Sequence, residues 1–188
     1  MKRCFVISPI GEPGSDTRQQ ADDVLEYIIG PALKEMQVEA FRGDHFSEPG
    51  LINSQVVEAI LTYDFCIADL RGHNPNVFYE LAIAQAACRP VVLLKLIGEE
   101  TPFDIKDYRR IDYDLKPRSM KTNKWIPLLK DQVAAVLAPS FIAPPLPGSD
   151  SLNKTEKIRS YIANSAQMTS VSPLNTTKLL APLKNSAT

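Results

Sequence analysis

Residues 67–94, IADLRGHNPNVFYELAIAQAACRPVVLL, contain an apolar run, a polar loop, a helix-like segment and a second apolar run. The two apolar runs belong to segments 65–70 and 90–96, which are apolar on both faces, as strands of a covered parallel sheet are. Asn74 is a typical helix cap and the proline after it a typical first helical residue, so we expect a helix over 75–88. The stretch therefore predicts a strand–helix–strand unit with parallel strands.

The same alternation of strand and helix continues in both directions from this unit. Further strands are predicted at 3–8 and 38–42, with an edge strand at 108–115, and further helices are predicted from the Ser15–Asp16 cap to about residue 36, over 51–63 and over 121–137. Pro31 is expected to kink or split the first of these helices, because it removes one backbone donor. The pattern predicts an open, doubly wound α/β fold of the flavodoxin or Rossmann type, with a mainly parallel sheet of about four or five strands.

The composition suits one folded domain and argues against two classes of partner. Of the 188 residues 44% are hydrophobic, and 21 basic residues nearly balance 22 acidic ones. A surface for bulk nucleic acid needs clustered lysines and arginines, so we expect none here. No apolar run reaches the ~18 residues needed to cross a bilayer, and the first apolar run is too short for a signal peptide. We therefore expect a cytoplasmic protein that does not enter membranes.

The three cysteines, Cys4, Cys66 and Cys88, are far apart and lie in apolar contexts. Such residues are typically buried free thiols. Their spacing fits no zinc motif, and the chain has only two histidines, so we expect no metal site.

The character of the chain changes after residue 138. Segment 139–148 is rich in proline and is predicted to be a stiff linker. Segment 149–188 is rich in Ser, Thr, Asn and Lys, and we expect at most one short helix there, with the rest disordered or ordered on a protein partner. The folded domain is therefore predicted to cover 1–138.

Two loops that follow strands hold candidate ligand-binding residues, because ligands of doubly wound sheets bind at the carboxyl ends of strands. Ser8 and Gly11 lie in the first loop, where backbone N–H groups can cradle a phosphate; an ordinary strand–helix turn explains them equally well. Arg42 and Asp44 follow the second strand, where a ribose or second phosphate often binds, although loop residues of this kind are more often simply solvated.

Arg18 can reach an anionic ligand from the first turns of the first helix, because a guanidinium suits phosphate geometry. An ion pair with Asp22, four residues further along the same helix, is an equally good explanation.

The third loop and its helix carry the candidate catalytic residues. Asn76 and Glu80 are four residues apart and share one helix face near the positive end of the helix. Asp69 ends the preceding strand, and we expect its carboxylate to face the same cleft as Glu80. Two carboxylates at one site can cleave a bond at the anomeric carbon of a sugar. A solvated Glu80 that only satisfies the helix end remains the alternative.

These segments resemble a known family. The stretch ADLRGHNPNVFYELAIAQAACRPVVLL resembles the core motif of the nucleoside 2-deoxyribosyltransferase-like superfamily, and FVISPIGEPGSDTRQQAD resembles the first strand and loop of a bacterial branch. The resemblance covers about residues 1–115. It implies that Glu80 is the nucleophile at C1′ of the sugar, and that Asp69 contacts sugar or base. Asn74 stands where some members have a substrate-binding Asp, and Ala82 stands where the family usually has Gly.

The fold and the Glu-Leu helix also resemble TIR domains, some of which cleave the nicotinamide–ribose bond of NAD. The two resemblances imply an N-glycosidic-bond hydrolase or transferase that acts on a nucleoside, a nucleotide or NAD. They imply no cofactor, since NAD or a nucleotide would be the substrate, and they imply a homo-oligomer. A non-catalytic nucleotide-sensing module or a TIR-like signalling scaffold is the alternative, because fold alone does not fix function.

Overall fold

The computed structural model describes residues 1–46 and 52–144, which form an α/β fold with five parallel strands in one sheet. The strands are β1 Lys2–Ile7, β2 Val38–Arg42, β3 Phe65–Asp69, β4 Val91–Leu96 and β5 Arg110–Tyr113. Their order across the sheet is β2-β1-β3-β4-β5, and every neighbouring pair is parallel. The predicted doubly wound architecture is confirmed.

Helices connect the strands and cover both faces of the sheet. They are α1 Asp16–Val24, α2 Gly30–Glu35, α3 Ile52–Thr62, α4 Pro75–Ala86, α5 Pro117–Lys121 and α6 Trp125–Val136. The turns Gly43–His45 and Arg71–His73 follow β2 and β3. Residues 47–51 and 145–188 lie outside the described residues, and so do the whole of the predicted tail and the last four residues of the predicted linker, 145–148.

The strand order reverses at β1, which places a crevice at the carboxyl end of the sheet. In register, Cys4 of β1 lies opposite Ala40 of β2 on one side and Phe65 of β3 on the other. The chain leaves β1 towards β2 on one side and returns across it to β3 on the other. Connections that diverge in this way open the ligand crevice of doubly wound folds.

Two hydrophobic clusters, one on each face of the sheet, hold the layers together. On one face, residues of α1, α2 and α6 such as Val24, Leu33 and Leu129 pack against the sheet. On the other face, residues of α3 and α4 such as Ile60 and Leu81 do so. Burial of apolar side chains on both faces explains why the strands read as continuous apolar runs.

Leu25–Ile29 forms a π-helical segment between α1 and α2, and Gly30 separates it from Pro31. The N–H of Gly30 bonds to the carbonyl of Leu25, five residues back. A side chain at Gly30 would bring its Cβ within 2.8 Å of that same oxygen. The wider turn lets the helix continue past a proline that lacks an N–H, so the expected kink takes the form of a π segment.

Candidate active site

A cavity of about 270 Å³ lies at the carboxyl ends of β1 and β2, beside α3 and α4. It is lined by Phe5, Val6, Ser8, Ile10, Gly43, Asp44, Asn53, Val56 and Glu80. Ligand pockets commonly have volumes of ~300–1,000 Å³, so this one lies just below that range and suits a sugar-sized group. Its polar side chains, on otherwise apolar walls, are the pattern of a small-molecule site.

Glu80 supplies one of the two carboxylates in this cavity. The Asn74 side-chain oxygen caps α4 by accepting hydrogen bonds from the N–H groups of Asn76 and Val77, at 2.9 and 3.4 Å. This cap fixes where the helix begins, and therefore which of its residues faces the cavity. Glu80 follows in the second turn and is half-buried. Among the described residues no hydrogen bond or ion pair reaches its carboxylate, and burial raises its pKa to about 7. A carboxylate held in this way is free to act on a ligand.

Asp69 lies elsewhere, and the expectation that it shares a cleft with Glu80 is wrong. Its side chain is 0% exposed and does not line the cavity. Its Oδ1 accepts the Tyr113 hydroxyl at 2.7 Å and the Arg71 N–H at 3.3 Å. The Arg71 guanidinium is 3.4 Å from Oδ2. Burial raises the pKa of Asp69, and the charge of Arg71 and the Tyr113 hydroxyl oppose that rise.

The alternation of side chains along β3 explains the position of Asp69. Successive residues of a strand point to opposite faces, so Asp69 shares a face with Phe65 and Ile67. Those two residues belong to the cluster under α1, α2 and α6. Cys66 and Ala68 belong to the opposite cluster, which packs against α4. Asp69 and Glu80 are therefore on opposite sides of the sheet.

Arg18, Asp22, Arg42 and Asp44 form a charge network beside the cavity. Arg42 is 2% exposed; its Nε and Nη2 donate to the two oxygens of Asp44 at 2.7 and 2.8 Å, and its Nη2 also donates to Asp22. Arg18 donates to Asp22 at 3.0 Å and pairs with Asp44 at 2.9 Å. Hydrogen bonds from Arg42 hold the pKa values of Asp22 and Asp44 below their usual range. The ion pair between Arg18 and Asp22, one of the two interpretations from the sequence, is present.

The remaining predicted site residues are divided between the cavity and its surroundings. Ser8 lines the cavity. Gly11 does not: its φ is +68°, and a Cβ there would be 2.8 Å from Ser15 Oγ, so this glycine allows the loop to pack on the start of α1. Asn76 also lies outside the lining, and the Asn74 side chain is engaged at the helix end. The predicted phosphate-binding role of the first loop stays a prediction.

Asn53 and Val56 of α3 also line the cavity, and the sequence pattern did not single them out. Their position in the first turns of the helix that follows the β2 loop is the feature of the sequence that could have identified them as site residues. Helix starts in this position approach the carboxyl end of the sheet.

Several other features concern metals, thiols and membranes. Within residues 1–46 and 52–144 no group of three or more His, Cys, Asp or Glu side chains is arranged to hold a metal ion. Cys4 and Cys66 are buried free thiols, and Cys88 is a partly buried one. No helix in this part of the chain is long and apolar enough to span a membrane.

No protein-family model and no curated protein sequence matches the chain. Among solved structures, it is similar to the CMP N-glycosidase BcmB of Clostridium botulinum, with 19% identity, a TM-score of 0.47, and coverage of 64% of this chain and 96% of that one. It is similar to a 2-deoxyribosyltransferase of Bacillus psychrosaccharolyticus, with 14% identity, a TM-score of 0.46, and coverage of 60% and 85%.

A third similar structure is the constitutive lysine decarboxylase of Escherichia coli, with 11% identity and a TM-score of 0.39. The match covers 74% of this chain and only 18% of that enzyme. At these identities and scores we infer no activity from the likenesses, and we base the function on the geometry of the chain's own residues.

Proposed function

We propose that the chain cleaves the N-glycosidic bond of a nucleoside or nucleotide, with Glu80 as the nucleophile. One observation carries the proposal: the half-buried Glu80 carboxylate lines a cavity of about 270 Å³ and has no hydrogen-bond or ion-pair partner among the described residues. A buried carboxylate without a partner costs stability, and groups of this kind concentrate at functional sites.

The chemistry needs only a carboxylate, a sugar and an acceptor. A Glu80 oxygen attacks C1′, and the C1′–N bond breaks with its electron pair leaving on the base. Water or a second base then attacks C1′ and releases the carboxylate. With water as acceptor, its hydroxyl group ends on C1′ and its proton on the departing base. The first step requires ionised Glu80, which at neutral pH is present in a sizeable fraction, since its pKa is about 7.

Other cavity residues would bind and orient the sugar. Ser8 and Asn53 both line the cavity, and a hydroxyl and an amide can exchange hydrogen bonds with sugar hydroxyls. The apolar side chains of Phe5 and Val56 exclude water from part of the wall. Partial desolvation of Glu80 by such walls makes it a more basic and stronger nucleophile.

A non-catalytic nucleotide-binding module is the second candidate, and the position of Asp69 favours it. Asp69 is buried on the other side of the sheet. Among the described residues that line the cavity, Asp44 is the only acidic one apart from Glu80. Arg42 lowers the pKa of Asp44, so at neutral pH it is not a proton donor for a departing base. The base would have to take its proton from solvent.

The deciding experiment is base release from a panel of nucleosides, nucleotides and NAD, followed by chromatography. Glu80→Gln keeps the shape of the side chain and removes its nucleophilic oxygen, so we expect loss of at least about a thousandfold in rate. Glu58→Gln makes the same change on an exposed position of α3 outside this cavity and serves as the control.

Intact-protein mass spectrometry provides the second readout. A pentose adduct that forms on the wild type and not on Glu80→Gln supports the nucleophile. Turnover that survives in Glu80→Gln refutes it, and tight binding without any base release supports the module. The release of a free sugar, or of a new nucleoside when a second base is added, separates a hydrolase from a transferase.

A further inference from the structure

The charge network beside the cavity is electrically balanced, but its members are placed unequally. Arg18 and Arg42 carry two positive charges, and Asp22 and Asp44 carry two negative ones. Asp44 lines the cavity, whereas the other three side chains do not. A ligand in the cavity therefore meets the negative member of the network first.

Both oxygens of Asp44 are held by guanidinium groups. Arg42 donates to Oδ1 from Nε at 2.7 Å and to Oδ2 from Nη2 at 2.8 Å, and Arg18 Nη2 is 2.9 Å from Oδ2. This two-pronged geometry is the one with which guanidinium groups bind phosphate. The carboxylate of Asp44 thus occupies the position that an external anion would need in order to bind these two arginines.

Neither arginine of the network lines the cavity. Nη1 of Arg42 has no hydrogen-bond partner among the described residues, but Arg42 is 2% exposed and does not reach the cavity lining. No Lys or Arg is among the described residues that line the cavity, while two carboxylates, those of Asp44 and Glu80, are. A phosphate group placed here would face like charges at close range.

We propose that Asp44 is a specificity-determining residue, which makes the cavity select an uncharged nucleoside over its 5′-phosphorylated form. The proposal rests on the proposed function for the reaction that follows binding. It concerns the same cavity. In this proposal the Asp44 carboxylate occupies the place at Arg18 and Arg42 that the phosphate of a ligand would otherwise take.

The test compares matched pairs of ligands on matched variants. Calorimetry gives dissociation constants for adenosine, cytidine, guanosine, uridine and their 2′-deoxy forms, and for the 5′-monophosphate of each, while base release is followed in parallel. Asp44→Asn keeps the side-chain shape and one oxygen for the arginines, and removes the charge that faces the cavity. Asp22→Asn removes the same charge from the same network, at a side chain that is 43% exposed and outside the cavity.

We expect the wild type to bind at least one nucleoside roughly tenfold or more tightly than its monophosphate, since one like charge near a site is worth at least that ratio. Asp44→Asn is expected to shift this ratio towards the monophosphate by about tenfold or more, and Asp22→Asn by less than about threefold. Thermal unfolding of each variant checks that it is folded, and the wild-type ratio tests the proposal even if Asp44→Asn does not fold.

The two proposals fail in different ways. Tighter binding of the monophosphate by the wild type overturns the specificity inference, whether or not base is released. Equal shifts in the two variants also overturn it, because the effect would then come from net charge. Absence of binding by every probe overturns it as well. Selective nucleoside binding without base release leaves the inference standing and refutes the proposed function.

Discussion

Replacing Glu80 by glutamine should make the protein more stable at alkaline pH, because the ionised carboxylate is held in a partly dry cavity. Burial raises the pKa of Glu80 from 4.5 to about 7 in the folded chain. Between these values the folded state binds a proton that the unfolded state does not, so the wild type loses stability as the pH rises. Each unit of pKa difference corresponds to ~1.4 kcal/mol, which gives a loss of about 3.5 kcal/mol at most.

Remaining solvent exposure of the side chain reduces this figure to about 2 kcal/mol. The glutamine amide of the variant does not ionise, so Glu80→Gln should match the wild type within about 0.5 kcal/mol near pH 4.5 and exceed it by about 2 kcal/mol above pH 8. Urea unfolding at five or six pH values, followed by tryptophan fluorescence of Trp125, measures both free energies of unfolding.

The comparison of the two proteins isolates Glu80, since every other ionisable group is common to both. Glu58→Gln, on an exposed position, should follow the wild type at each pH. If the difference between wild type and Glu80→Gln stays constant from pH 4.5 to 8, the carboxylate is not desolvated and the argument for its reactivity fails. A gain in stability on loss of function is the usual signature of a residue kept for activity.

Three further outcomes follow from the same geometry. The kcat/KM for base release should rise with pH through about 7 and then level off, as the nucleophile ionises; a flat profile from pH 5 to 9 would exclude Glu80 as the titrating group. Tyr113→Phe should lower the free energy of unfolding by about 1–3 kcal/mol, since it removes the 2.7 Å bond to buried Asp69, and an unchanged urea midpoint would contradict this. Gly30→Ala should destabilise by more than about 1 kcal/mol, because its Cβ would lie 2.8 Å from the Leu25 oxygen; an unchanged melting temperature would show that the π segment adapts.

Local patterns were sufficient to predict the five strands and the longer helices of this fold. The short helix α5 was not predicted, and the helix predicted over 121–137 begins only at Trp125. The strand at 38–42 has the predicted ends, and α4 begins at Pro75 as its Asn-Pro start indicates. The edge strand was predicted at 108–115 and forms only at Arg110–Tyr113. Capping and apolar periodicity are properties of neighbouring residues, which is why they can be read directly from the sequence.

The site was harder to predict because it depends on which face each residue occupies. In β3 every residue is buried, so the sequence lacks the alternation that would show which way Asp69 points. The pair of Arg18 and Asp22 could be read from helical spacing. The bond from Arg42 to Asp22 spans 20 positions and joins the end of β2 to helix α1, so no local pattern contains it.

The bond between Tyr113 and Asp69 also bears on how the chain folds during synthesis. The two residues are 44 positions apart, and they join strands β3 and β5, which are separated in the sheet by β4. A nascent chain that has extended only as far as β4 would leave the Asp69 carboxylate with its contacts to Arg71 and without the hydrogen bond from the Tyr113 phenol. We therefore expect the carboxyl end of β3 to reach its full stability only after β5 has left the ribosome.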